Sequence, residues 1–221
     1  MDNGAGSPLK PLIVNRSILP NPLLQLCSQL LVIAALAQAP QAVAAERKNI
    51  LTGRLLVALP NMKDPRFSEA VIYIVRHDRQ GAFGLVINRV LTTAPIEEVL
   101  AGFGVDEKGG KGEIAIHYGG PVSPRQGFVL HSDDIVRENS TRVNNGMAIT
   151  LDATIIRDIS LGKGPRQFLL MVGYAGWAPG QLEGEVQDKA WFSIPADKEI
   201  IFSKQPEKKW QRAIDRRQIP L

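Results

Sequence analysis

The chain has 221 residues, 44% hydrophobic and 22% charged, with a formal net charge of +4 and a pI near 9.3. That length suits one well-cored domain plus an extension and is short for two. The composition excludes a disordered chain, and the mildly basic balance permits an anionic partner without demanding one.

The single cysteine, Cys27, falls before residue 45. Disulfides, thiolate nucleophiles and cysteine-based zinc sites are therefore excluded from the rest of the chain. Residues 1–22 are polar and aperiodic, with Lys10 and Arg16 as their basic groups. An apolar run follows from Leu23 to Ala37, with an uncharged core at Leu30–Ala37, then Pro40 and Ala42-Val43-Ala44. A basic n-region, a short apolar h-region and a small-x-small site are the parts of a secretory signal in their order. The expectation is a leader over residues 1–45, cleaved near Ala44, and an exported or periplasmic mature chain. The run is short of the about 20 apolar residues a permanent span needs, and Gln25 and Gln29 interrupt it; association with a membrane through an uncleaved leader is second choice. The alternative is a cytoplasmic chain, its first residues a misassigned start or an amphipathic helix. Gln25-Leu26 before Cys27 lack the small residues that precede a lipid-modified cysteine.

The body, residues 46–221, opens with an apolar strand, Leu55–Leu59, stopped by Pro60, and a turn at Asp64-Pro65. Val71–Val75 is apolar at successive positions, which predicts a strand covered on both sides. Asp78–Gly81 turns it, and Ala82–Asn88 returns as the second arm of a hairpin. Thr93-Ala94-Pro95 opens a helix with Ile96, Val99, Leu100 and Phe103 on one face and Gly104 at its end. Asp106–Gly112 reads as a polar loop. Strands follow at Ile114–Tyr118 and Gly127–His131. Asp133–Asn145 reads as a long irregular loop, and Met147–Leu151 as a short strand. Asp152 caps a helix from Ala153 to Leu161, with Ile155, Ile156 and Ile159 inward and Gly162 past its end.

Phe168–Val172 is the next strand. It leads into Gly173-Tyr174-Ala175-Gly176-Trp177-Ala178-Pro179-Gly180 and then a helix-like run from Gln181 to Lys189. Three glycines and a proline there predict a sharp turn. Trp191–Ile194 and Glu199–Phe202 read as late strands, and a last helix runs from near Pro206 to about Arg217. There is no internal repeat. Strands outnumber helices and several pair as hairpins, so the fold class is α+β, not a doubly wound parallel sheet.

Five segments in order resemble the AlgH/YqgE family, a bacterial group of uncharacterised proteins. They are Thr52–Ala58 with Asp64-Pro65-Arg66-Phe67; Gly81–Asn88; Tyr118-Gly119-Gly120-Pro121-Val122; Gly127–Ser132; and Gly173–Glu183. The resemblance spans roughly residues 50–200. It implies a single domain whose strands form a strongly bent, mostly antiparallel sheet, pseudo-barrel in shape, with helices packed outside. The family that the chain resembles carries no established enzyme activity. Members have been suggested to be transcriptional regulators. The chain departs from the pattern at Tyr73-Ile74-Val75-Arg76-His77, where a cysteine usually stands before the Glu-His pair, and at Val90, where a proline is common.

The candidate chemistry centres on the two glycine turns. If Gly119-Gly120-Pro121 and Gly173–Gly180 meet, their main-chain N–H groups can cradle a small anion, with Arg125 or Arg54 assisting and Pro179 in the first turn of the following helix. The candidate ligand-binding residues are Gly119, Gly120, Arg125, Gly173, Gly176, Trp177 and Gly180. The plainer reading is steric: glycines let the chain bend where Trp177 packs. Neither turn matches a P-loop or a dinucleotide fingerprint.

His77, His117 and His131 are the three histidines, each near a strand end. Their spacing fits no metal motif, and hydrogen bonding at strand ends is the expected role; a metal site or an acid–base pair with Asp64, Asp78 or Asp133 is the alternative. Ser123 and Ser132 lie near the glycines without a Gly-x-Ser-x-Gly elbow. Glu183 and Glu185 point to different helix faces, Glu183 complementing the helix dipole. Lys208, Arg212 and Arg216 form a basic stripe on the last helix, widened by Lys209 and Arg217, with Trp210 and Ile214 on its apolar side. That stripe is a surface for nucleic acid or acidic lipid, or a solvated face.

The reading from sequence is a non-enzymatic domain, with no cofactor, no metal and no catalytic residues assigned, that binds a small anion or a protein partner. The alternatives are a cytoplasmic transcriptional regulator associated with nucleic acid and, third, a hydrolase.

Overall fold

Residues whose side chains are apolar at every position cannot lie on a half-solvated sheet. In the computed structural model, which describes residues 51–105 and 112–217, such runs become strands covered on both faces. The leader, its cleavage near Ala44 and most of the expected polar loop lie outside the described residues. Strand β1 (Arg54–Ala58) sends Leu55 and Val57 to one cluster and Leu56 and Ala58 to another. Strand β2 (Val71–Asp78) alternates the same way, Val71 and Tyr73 against Ile72 and Ile74. Strand β3 (Gly81–Val86) closes the hairpin.

The remaining strands are β4 (Val90–Pro95), β5 (Glu113–Tyr118), β6 (Val122–Ser132), β7 (Ser140–Arg142), β8 (Met147–Thr150), β9 (Phe168–Trp177) and β10 (Trp191–Pro195). They form one curled, mostly antiparallel sheet in the order β10-β1-β2-β3-β9-β6-β8-β7, with β4 and β5 branching from β9. The β5–β9 pair is parallel.

Helices cover the faces. Helix α1 (Ile96–Gly102) and α2 (Thr154–Ser160) bury Ile96, Val99, Leu100, Ile155 and Ile156 against Ile114, Val129 and Leu170. Helix α3 (Gln181–Gln187) sets Leu182 against Trp177 and Trp191. Helix α4 (Lys198–Ile201) and α5 (Lys209–Arg217) close the cluster of Leu55 and Val57 with Ile200, Ile201 and Ala213. The cap position of α2 is Ala153, one residue later than expected, and has no side-chain cap; Asp152 Oδ1, just before it, accepts from the amide of Thr154 at 2.9 Å. No described helix is long and apolar enough to cross a membrane.

Strand β9 is the centre. Its first half pairs with β5 on one edge and β6 on the other, and its second half pairs with β3. Gly173, at φ +71°, divides the halves. Before it, Leu169 and Met171 face one cluster; after it, Tyr174 packs on that same cluster while Ala175 and Trp177 face away. One left-handed residue thus reverses which positions point inward. Gly119 fills the seam where β5 gives way to β3: its N–H donates to Val172 O at 2.8 Å and its carbonyl accepts from Val86 at 2.9 Å.

Several expectations change. The strand expected to stop at Val172 continues to Trp177, so the turn is only Ala178-Pro179-Gly180. Pro179 precedes the helix cap, Gly180, and is not in the first turn. Glu199–Phe202 is not a strand: the Asp197 carboxylate accepts from the amide of Glu199 at 2.8 Å and starts α4, because a side-chain cap supplies the partner that a sheet neighbour would have given. Strands β4 and β7 fall in stretches read as helix entry and loop; β4 is exposed at nearly every position, so it shows no burial alternation to read.

Candidate functional site

The two glycine segments do meet, and they meet backbone to backbone. A Cβ on Gly119 would strike Gly173 O, one on Gly120 the carbonyl of Tyr174, and one on Gly173 the carbonyl of Gly120. Gly120 is at φ +151°. Gly119, Gly120 and Gly173 are buried, and the Gly119 N–H is spent on Val172. Gly176 is exposed, with no positive φ; a Cβ there would sit 3.2 Å from the Tyr174 ring and 3.9 Å from Val122. The stringent positions are therefore 119, 120 and 173.

What the flanks of these segments line together is a cleft of about 630 Å³. Pro121 and Val122 come from one segment and Gly176 and Trp177 from the other. The far wall is Met62, Phe67 and Trp191. Trp191 meets Phe67 edge-on at 5.6 Å and Trp177 at 6.2 Å between ring centroids. The mouth carries Lys63, Asp64, Arg66 and Asp188. Asp64 caps the short 3-10 turn at Pro65–Phe67 and pairs with Arg66 at 2.7 Å. Hydrogen bonding from that guanidinium holds the Asp64 carboxyl below the ordinary range.

Glu185 holds the aromatic wall in place. Its Oε2 accepts the indole N–H groups of Trp177 at 2.9 Å and Trp191 at 2.8 Å. Its Oε1 accepts from Gln181 at 2.8 Å, and Gln181 in turn accepts from the amide of Ala178 at 3.1 Å. One carboxylate ties β9, α3 and β10 together. Sequence reasoning weighed Glu185 only as half of a carboxylate pair. Its spacing of one helical turn after Gln181 is a signal for that hydrogen bond, but nothing local points to Trp191.

Of the expected ligand-binding residues, Gly176 and Trp177 line the cleft. Gly180 lies exposed at the start of α3, at φ +77°. Arg125 is exposed on β6 in the excursion where the β6–β9 register shifts between Val122 and Gly127. Arg54 donates to Ser193 Oγ at 3.3 Å. On α5 and the turn before it, Lys208 is exposed, Arg212 donates to Ser203 and Gln205, and Arg216 pairs with Asp197 at 2.8 Å. Arg217 stacks over Phe192. Lys209 does not widen the stripe: it is 0% exposed, its Nζ donating to Ile87 O and Ile201 O at 2.7 Å each. Burial pulls its pKa down from 10.5 to about 8.

All three histidines are buried and sit in strands β2, β5 and β6. The His77 Nδ1 accepts from the amide of Leu51 at 3.1 Å, so Nε2–H faces Glu183 Oε1, also at 3.1 Å. His131 lies between Ser132 O at 2.8 Å and Thr150 Oγ1 at 2.9 Å. His117 Nδ1 faces Leu170 O at 3.1 Å. Ser132 Oγ donates to the Asp134 carboxylate and accepts from the amide of Gln167 at 3.2 Å. Among the described residues no group of three His, Cys, Asp or Glu is gathered to hold a metal ion.

These features agree with a wider kinship. A profile of the AlgH-like family matches residues 55–221. A UPF0301 protein of Methylococcus capsulatus is 41% identical over 170 residues, covering 77% of this chain and 93% of that protein. One from Gluconobacter oxydans is 42% identical over 166 residues, covering 74% and 89%. The solution structure of the AlgH protein from Pseudomonas aeruginosa matches with a TM-score of 0.66 at 36% identity, over 76% of this chain and 89% of that one. The crystal structure of protein DIP2367 from Corynebacterium diphtheriae shares the fold, with a TM-score of 0.62 at 23% identity over 76% and 87%. By profile, by sequence identity and by the curled sheet itself, the chain belongs to the AlgH-like family, whose biochemical role is not established.

Proposed function

We propose that this chain is a non-catalytic binding domain that receives a protein partner in the cleft beside Trp177. The observation that carries the reading is the cleft itself: the flanks of both glycine segments line it together with Phe67, Met62 and Trp191. An aromatic and aliphatic wall with a mouth of mixed charge suits an apolar side chain of a partner presented among polar neighbours. A small anion is the weaker choice. The Gly119 amide is consumed inside the sheet, and Arg66 is already paired with Asp64. Association with nucleic acid is weaker for a similar reason, since Arg212 and Arg216 are engaged with neighbouring side chains. Export after cleavage near Ala44 belongs to the same proposal and accords with a protein ligand.

A random-peptide display selection against the chain tests the reading. Val122 is 37% exposed at the cleft, so Val122→Asp changes the wall without touching the core. Enriched peptides are expected to bind the wild type and to lose about tenfold or more in affinity on Val122→Asp, the scale of one lost apolar contact. Failure to enrich any peptide, or equal affinity for both chains, overturns the proposal.

A further inference from the structure

Three strands of the sheet have a single neighbour among the described residues: β4, β7 and β10. Strand β7 has three residues and ends on the exposed Arg142. On β10 the Arg217 guanidinium lies over Phe192. Strand β4 reads Val-Leu-Thr-Thr-Ala-Pro, without a charge, and is exposed at every position but Ala94. Val90 is 42% and Leu91 55% exposed. Edge strands are ordinarily blunted by charged side chains or a covering element, because their unpaired amides and carbonyls invite another strand. Strand β4 has neither.

The ladder with β5 fixes which backbone groups of β4 stay open. The Ile96 amide donates to Gly112 O at 3.1 Å. In the same antiparallel register Ala94 opposite Ile114 and Thr92 opposite Ile116 also turn their backbone groups towards β5. Thr93, between them, therefore points its N–H and C=O at the open edge. Its carbonyl receives a 3.4 Å contact from the Thr92 hydroxyl, which leaves it a lone pair. The charges at the two ends name the occupant. Arg89 enters β4 with its guanidinium on the carbonyls of Arg66 and Ser68, not on a carboxylate; Glu207 borders the groove beside it without an ion pair. At the other end Glu97 and Glu98 follow Pro95, and Glu113 lies opposite it, all three exposed. An antiparallel second copy sets the cation of each chain against the acids of the other, whereas a parallel one would set like ends together.

We propose that β4 is the interface of a homodimer, two copies pairing edge to edge and antiparallel about a two-fold axis at Thr93. Each Thr93 amide donates to the Thr93 carbonyl of the other copy, Leu91 packs beside Pro95 of that copy, and Arg89 approaches its Glu97. Pro95, which has no N–H, and the bulge between Val90 and Thr92 keep the shared ladder short. The pair therefore dissociates on dilution and does not grow into an open-ended sheet. No residue of β4 lines the cleft beside Trp177, so this interface is separate from the proposed partner site.

Sedimentation velocity of the full chain over a rising concentration series tests this. The wild type is expected to pass from monomer to dimer. Thr93→Pro removes a donor that β5 does not use, and Leu91→Lys places an ammonium on the exposed edge. The two-fold axis repeats each change, so each should weaken the dimer about tenfold or more while leaving the far-UV circular dichroism of the monomer as it was. Hydrogen exchange gives a check that needs no variant: the Thr93 amide should exchange freely in dilute solution and slow as the concentration rises. A chain that stays monomeric, a dimer that survives Leu91→Lys and folded Thr93→Pro alike, or a Thr93 amide indifferent to concentration overturns the proposal. Protection of that amide only when another protein is added would give the edge to a foreign strand and overturn it as well.

Discussion

Lys209 shows how far one residue can depart from its place on a helical wheel. The sequence reading has it widen the basic stripe of Lys208, Arg212 and Arg216. In the fold it is the first residue of α5 and turns inward, because the carbonyl of Ile201 ends α4 directly beneath it and the carbonyl of Ile87 lies alongside. Both oxygens need a donor, and the ammonium provides two. The buried charge costs stability while it persists. The folded chain releases this proton near pH 8 and the unfolded chain near the ordinary 10.5. Between those values the unfolded state binds more protons, so stability rises with pH; below 8 the full penalty of about 3 kcal/mol applies. Urea unfolding of wild type and Lys209→Met at pH 7 and pH 10 reads this. The wild type is expected to gain on the variant by most of that amount at the higher pH, and a difference independent of pH would contradict it. Sequence reasoning read the histidines better, since hydrogen bonding at strand ends is what His77 and His131 do.

At the scale of elements, local signals were legible where one segment decides its own structure. The hairpin of β2 and β3 and the apolar faces of α1 and α2 follow from runs of a few residues. The failures are elements that depend on a distant partner. Strand β4 is a strand because β5 lies beside it. The continuation of β9 past Gly173 depends on β3 taking over its edge. The cleft wall is another such case, with Glu185 binding two indoles that come from different strands. Glu185→Ala should strand both indole N–H groups in a buried setting and cost about 2–4 kcal/mol, lowering the urea midpoint and shifting tryptophan emission to the red. Glu185→Gln, which keeps an acceptor, should cost clearly less. A Glu185→Ala chain as stable as the wild type would show that the carboxylate is not what fixes the wall.

For the whole domain, the resemblance carried the bent sheet and outer helices, while the branching at β9 was not readable from any stretch of residues. A strand flanked by three others should be the last to open. In native-state hydrogen exchange, the amides of residues 169–172 are expected to be the slowest. Those of β4, β7 and β10, each paired with a single neighbour, should exchange by local fraying. Equal protection of β4 and β9 would contradict that order.

The central strand is also among the last parts of the chain to be made. A nascent polypeptide emerging from the ribosome exposes β1 to β8 before residue 168 is available to join them. Until then the hairpin of β2 and β3 and the strands β5 and β6 have no common member, and apolar surfaces meant for both faces stand open to water. Closing such long loops late is slow, so synthesis leaves a long interval in which a chaperone can hold the chain before it folds.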